Sequence, residues 1–290
     1  MTPARPTAIT ARGLRKTYSG HVAVDHLDLD IYRGEVFALL GPNGAGKTTT
    51  VEILEGHRHR DTGTVEVLGE DPGRRPRGWR ARIGIVLQSQ ADSSGELTVR
   101  EILGHFAHYY PDARDPDEVI ETVGLTEQAR TRLARLSGGQ RRRVDVALGI
   151  VGRPELLFLD EPTTGFDPAA RRAFWELITR LAGAGTTIVL TTHYLEEAEA
   201  LADRVGVLAD GRLVAAGTPA EIGGRATAQA TVSWQDGQQR RSERTEAPTR
   251  LVAELAARYG GEVPGLAVTR PSLEDTYLAL IGARQDGGPR

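Results

Sequence analysis

A chain of 290 residues has room for one large domain and a small one, and a composition of 39% hydrophobic and 26% charged residues sets it apart from disordered and membrane-spanning chains. A net charge of −3 and a pI of about 6.2 argue against a polyanion binder, so any basic site is local. Cysteine is absent, which excludes disulfides, zinc–thiolate sites and thiol nucleophiles together and fits a reducing compartment.

The opening residues, MTPARPTAITARGLRK, lack an apolar core of signal-peptide length, and no run approaches the roughly 18 apolar residues of a membrane span; both predict a protein kept in the cytoplasm. Residues 7 to 40 alternate as strands, in TAITARGLRKTY and VAVDHLDLDIY, before a continuous apolar run, EVFALLG, reads as a strand buried on both faces. Directly after it comes GPNGAGKT, residues 41 to 48, with a helical stretch following: G-x-x-x-x-G-K-[ST] between a strand and a helix. Gly41, Gly44 and Gly46 let the backbone that they share with Pro42, Asn43 and Ala45 curl so that successive N–H groups, Pro42 having none, face one anion, and the helix start at Lys47, Thr48 and Thr49 adds the positive end of its dipole. Phosphate oxygens suit such a cradle. Lysine occurs only at Lys16 and Lys47 among 36 basic residues. A compact ammonium at Lys47 can reach β- and γ-phosphates, and the Thr48 hydroxyl can ligate Mg²⁺.

Gln88 closes the next strand, RIGIVLQ, with Gln90 an alternative at the same edge. Residues 92 to 153 read as a helical insertion that begins at Thr98, where Glu101 three residues on completes a capping box. Within it, SGGQ reads as a second helix start, Ser137 capping with Gln140, and the amides of Gly138 and Gly139 offer another anion site. The consecutive Arg141, Arg142 and Arg143 fan out by about 100° each on a helix and share no one face, which predicts a solvated helix start and not a nucleic-acid stripe. The run ELLFLDE ends in Asp160 and Glu161, at the edge of a parallel sheet where such folds place ligands. There Asp160 can join a Mg²⁺ shell and Glu161 can polarise a water for attack on a γ-phosphate. Asp167 with Pro168 predicts an N-cap and first turn, and TTIVLTTH ends in His193, able to donate to a γ-phosphate or orient the water. Buried strands alternating with helices predict a mostly parallel sheet. Asp210-Gly211 marks a hairpin; from about residue 225 the composition shifts to Gln, Arg, Ser and Thr. Ser272 with Asp275 caps a last helix, residues 225 to 282 read as a small α+β appendage, and ARQDGGPR reads as a loose tail.

The order of phosphate loop, Gln88, LSGGQ, acidic pair, GFD and His193 resembles the ATP-binding cassette family over residues 7 to about 222. The resemblance implies an α/β fold: a P-loop NTPase (RecA-like) parallel-sheet core with an N-terminal antiparallel β subdomain and a helical subdomain, plus a small C-terminal α+β domain. Residues 1–224 then form the ATP-binding domain and 225–290 an accessory domain and tail. It implies ATP and Mg²⁺, with Thr48, Gln88 and Asp160 on the metal side, and Glu161, His193 and Gln88 at the reaction. Tyr18 looks like the aromatic that stacks on adenine. Two cassettes of the family pair head to tail, so that Ser137, Gly138, Gly139 and Gln140 of one close over ATP held by the other, with Asp167 at the contact. Gln88 looks like the residue that links nucleotide state to a membrane partner. The chain is therefore expected at the cytoplasmic face of the membrane beside a separately encoded permease, without a nucleic-acid partner. LLFLDEPTTGFDP, THYLEEAEALADR and PSLEDTYLAL are similar to the drug and antibiotic exporter branch. Phe166, Asp145 and Gly149 depart from the usual family pattern. The rival reading is a soluble cassette ATPase acting on ribosomes, DNA or a regulator, against which stand the single phosphate loop and the acidic pI.

Overall fold

The protein is described by a computed structural model over residues 5–87 and 95–285. It divides into two compact units, the first ending at Val214 and the second beginning at Ala215. The chain runs through β1 (Thr7–Tyr18), β2 (His21–Tyr32), β3 (Val36–Leu40), α1 (Lys47–Leu54), β4 (Thr62–Val67), the short α2 (Arg77–Arg80) and β5 (Ile83–Val86). There follow α3 (Val99–Ala107), α4 (Pro116–Thr122), α5 (Gly138–Ile150), β6 (Leu156–Asp160), α6 (Pro168–Gly183), β7 (Thr187–Thr191), α7 (Leu195–Leu201), β8 (Arg204–Ala209) and β9 (Arg212–Gly217).

The alternating segments form a three-stranded antiparallel sheet of order β2-β1-β4, and the continuous apolar runs form a six-stranded sheet of order β5-β6-β7-β3-β8-β9. The pairs β5/β6, β6/β7, β7/β3 and β3/β8 are all parallel. Every residue of β3 and β7 is buried, which is why those strands read as unbroken apolar or Thr-rich runs. Ile9, Leu14, Leu27 and Ile31 of the antiparallel sheet share one core with Phe37, Phe158, Val189 and Leu208 of the parallel one. The register sets Leu39 and Asp160 each opposite Thr191, so β3, β6 and β7 end side by side. Consecutive numbering jumps between β7 and β3, the kind of switch point at which α/β sheets hold ligands.

Local signals persist where they rest on a hydrogen bond the sequence itself encodes. Thr98 and Glu101 make the capping box of α3. Asp210 and Gly211 both take positive φ, 49° and 73°, at the β8/β9 hairpin. The departure at Gly149 has a packing cause: α5 lies so close to β5 that a Cβ on Gly84 would come 2.2 Å from the Gly149 carbonyl oxygen.

In the second unit, β10 (Ala230–Asp236) pairs antiparallel with β11 (Gln239–Thr245) and β12 (Ala267–Thr269). Helix α8 (Pro248–Tyr259) supplies Leu255 to a small core with Val232, Trp234 and Val263. Helix α9 (Leu273–Gln285) starts behind the predicted cap, Asp275 N–H donating to Ser272 Oγ at 3.0 Å. The expected tail is corrected in part: α9 continues through Gln285, because Ala283, Arg284 and Gln285 are good helix formers that extend its last turn.

Candidate functional site

The phosphate loop leaves the buried end of β3 and enters α1. Two of its glycines lie in the left-handed region, Gly44 at φ 81° and Gly46 at φ 96°, and a Cβ on Gly46 would sit 2.2 Å from the Ala23 carbonyl oxygen. Gly41 is equally constrained, with Leu208 O 2.4 Å from where its Cβ would be. The curl is therefore one that side chains would prevent. Pro42 and Asn43 are exposed, Ala45 is buried, and the Ala45 N–H donates to Pro42 O at 3.1 Å, closing the turn. Lys47 is only 7% exposed, and its Nζ donates to Gly41 O at 2.7 Å and Pro42 O at 3.2 Å, so the ammonium is aimed along the loop. Burial pushes its pKa down, while the carboxylates of Glu161 and then Asp160 pull it up. Thr48 is exposed and Thr49 half-buried at the first turn of α1.

The acidic pair is built by β6 and β7 together. Thr191 Oγ1 donates to Asp160 Oδ1 at 2.5 Å and accepts from the Glu161 N–H at 3.1 Å; that N–H also reaches Thr191 O at 3.1 Å. Glu161 takes φ 42°, a left-handed conformation unusual for a non-glycine residue, and such positions cluster at functional sites. Its Oε2 lies 3.3 Å from His193 Nδ1 and 3.4 Å from Thr164 Oγ1. The imidazole stacks on Tyr194, with ring centres 4.1 Å apart. The acid and the histidine predicted from separate strand ends are thus in contact.

The SGGQ segment forms the predicted capping box: Gln140 N–H donates to Ser137 Oγ at 3.2 Å and Ser137 N–H to Gln140 Oε1 at 3.0 Å. Ser137, Gly138 and Gly139 line a hollow of about 500 Å³ with Glu161, Phe166 and Asp167, and no residue of the phosphate loop reaches it. Asp167 caps α6, its Oδ1 accepting from the N–H groups of Ala169 and Ala170 at 2.9 and 2.8 Å.

A family model described as ABC transporter matches residues 24–164. The chain is 39% identical, over 95% of its length and 96% of the relative's, to a daunorubicin resistance ATP-binding protein of Streptomyces coeruleorubidus. The chain belongs to the ABC transporter family. It is also 46% identical over 74% of its length, and 70% of the relative's, to the Nod factor export ATP-binding protein I of Rhizobium johnstonii. A solved ATP-binding subunit of an ABC transporter shares the fold, with a TM-score of 0.69 and 24% identity over 94% of this chain and 99% of that one. Membership makes this cassette an ATPase, an ATP-binding subunit of the kind that pairs with a second cassette and drives a separate permease. Among its described residues no helix is long and apolar enough to cross a membrane.

The donor set fits Mg-nucleotide. Among the described residues of the cassette no three His, Cys, Asp or Glu side chains gather as a metal cage, and Mg²⁺ held by phosphates with one or two protein oxygens needs none. Gln88 and its alternative Gln90 lie outside the described residues. Tyr18 is half-buried at the end of β1 with the cations of Lys16 and Arg58 each 5.4 Å from its ring. Lys16 itself pairs with Asp61 at 2.7 Å, a structural use for the second lysine. Phe166, a departure from the family pattern, packs edge-on against Phe174 with ring centres 5.7 Å apart.

The expected solvated helix start needs correction at its arginines. Arg141 donates to Leu133 O at 3.2 Å and Arg143 to Val123 O at 3.4 Å, while Arg142 is 7% exposed. All three turn inward onto backbone carbonyls, because the loops before α5 and after β6 offer acceptors that the sequence places far away. The signal for Arg142 was Asp145, three residues on and therefore on the same helix face, now seen 3.6 Å away.

Proposed function

We propose that this cassette is the ATP-hydrolysing subunit of an exporter for a drug, antibiotic or other hydrophobic compound. It works as a head-to-tail homodimer at the cytoplasmic face of the membrane, beneath a separately encoded permease. The carrying observation is the acidic turn, where Glu161 touches His193 and Asp160 lies in register with the strand that feeds the phosphate loop. In this reading Glu161 is the general base toward the attacking water, and His193 fixes its carboxylate and reaches the γ-phosphate. Lys47, with the loop residues Gly41 to Thr49 and the backbone N–H groups that all of them but Pro42 carry, holds the phosphates, and Tyr18 stacks on adenine. When bound, Mg²⁺ neutralises developing phosphate charge; Thr48 and Asp160 are the described residues that would hold it, with Gln88 assigned from sequence. Ser137, Gly138, Gly139 and Gln140, with Asp167 beside them, serve the nucleotide of the second copy. Residues 1–224 are taken as the ATP-binding domain and 225–290 as an accessory domain.

Cargo class rests on relatives. The match to a daunorubicin resistance protein runs through the second unit as well as the first, whereas the match to a Nod factor exporter covers 74% of the chain. Hydrophobic export cargo is common to neither name by itself, but full-length similarity favours the resistance proteins. The test is to tag Glu161→Gln protein in its host, purify it with ATP from gently solubilised membranes, and identify what accompanies it. A stoichiometric polytopic membrane protein is the expected result. Recovery only from the soluble fraction, with ribosomal, DNA-associated or no partners, overturns the transporter assignment.

A further inference from the structure

Glu161 holds a left-handed backbone, and such a conformation persists only where its surroundings over-determine it. One fastening is Thr191, which accepts from the Glu161 N–H. The second comes from outside the sheet. Arg142 Nη2 donates to Asp160 O at 2.9 Å and its Nε to Pro162 O at 3.0 Å, so one guanidinium grips the carbonyls immediately before and after Glu161. Its Nη1 donates to Leu87 O, and Asp145 Oδ2 stands 3.6 Å away as counter-charge. The fork geometry is what makes this possible: a planar guanidinium presents donors in fixed directions to several acceptors, and an ammonium does not.

Arg142 belongs to α5, the helix that begins with Ser137, Gly138 and Gly139. A single buried side chain therefore ties that helix to the turn carrying Glu161 and to Leu87, the residue before Gln88. We propose that Arg142 is a positioning residue for ATP hydrolysis, holding Glu161 in its strained turn and making the attitude of the SGGQ helix set that of the carboxylate in the same chain. This rests on reading Glu161 as the general base. It gives a reason for a buried cation in a helix whose other two arginines donate to the carbonyls of Leu133 and Val123. Arg142 touches neither water nor phosphate in this account; it acts through Glu161.

The test compares the full-length parent with Arg142→Lys, Arg142→Met and Glu161→Gln. Steady-state ATP hydrolysis is measured alongside equilibrium binding of a fluorescent ATP analogue and thermal melting. Arg142→Lys keeps a cation for Asp145, so it carries the test should Arg142→Met fail to fold. The expected result is a kcat at least about tenfold lower in both arginine variants, with nucleotide affinity within about twofold of the parent, the mark of a misplaced group and not of lost binding. A folded Arg142→Lys with parental kcat overturns the proposal, as does a raised KM with kcat unchanged. Normal hydrolysis by Glu161→Gln instead removes the general-base reading, and this proposal with it. Loss of hydrolysis in Glu161→Gln with parental kcat in Arg142→Lys removes only the role of Arg142.

Discussion

Glu55, at the C-terminal end of α1, is 5% exposed, and burial, reinforced by the charges of Asp160 and Glu52, pushes its carboxyl from 4.5 up to about 8. Below the ordinary value the carboxyl is neutral both folded and unfolded, so it adds no pH dependence. As the pH rises the unfolded chain releases the proton and the folded chain keeps it, so stability falls by about 1.4 kcal/mol per pH unit. The loss levels off once the folded carboxyl ionises near pH 8. By about pH 7 the accumulated cost is roughly 3 kcal/mol. Glu55→Gln keeps the size and a polar contact toward His57 Nδ1, which lies 3.3 Å from Glu55 Oε2, but has nothing to ionise. Its stability relative to the parent is expected to grow from under about 1 kcal/mol near pH 5 to roughly 3 kcal/mol near pH 7. Urea unfolding of both proteins across that range, with the difference taken at each pH, measures it. A difference that stays constant, or shrinks as pH rises, refutes the assignment of a buried neutral carboxyl.

Gly46→Ala puts a Cβ 2.2 Å from Ala23 O at a φ of 96°, so nucleotide affinity measured by titration should fall more than tenfold, with a stability loss of about 2 kcal/mol or more. Thr191→Val removes the hydroxyl bridging Asp160 Oδ1 and the Glu161 N–H, and should lower kcat about tenfold in a steady-state ATPase assay while the melting temperature changes little. Asp167→Ala deletes two capping bonds at α6 and should cost about 1 kcal/mol in chemical denaturation.

What could be read in advance was whatever depends on neighbours in sequence. The capping boxes at Thr98 and Ser137 and the cap at Asp167 are contacts between residues two or three apart, and all three are present. The phosphate loop was legible for the same reason, since Gly44 and Gly46 are needed by their own turn. The left-handed turn at Glu161 was not, because what fixes it comes from Thr191 on the neighbouring strand and Arg142 on α5. Asp145 offers a counter-charge on the same helix face, but the acceptors that bury the middle arginine are carbonyls of residues 87, 160 and 162, distant in sequence. Gly149 likewise looked like a mere departure until Gly84 lay against it.

The placement of the two helix starts bears on how one chain could offer two anion sites without using both on one nucleotide. The start of α1 faces the loop at the end of β3, whereas that of α5 opens into a hollow shared with Glu161 and Asp167 and with no residue of that loop. Each start carries the positive end of its helix dipole, so each favours an anion. On the function proposed above, an isolated copy presents one anion cradle at its own Lys47 and offers the other to the nucleotide of a second copy. A head-to-tail pair would fill both with two nucleotides, and Arg142 would make the occupancy of the second cradle felt at Glu161 through bonds inside a single chain. Coupling of that kind needs no large rearrangement, only a rigid fork between an element that meets the partner and the turn that holds the base.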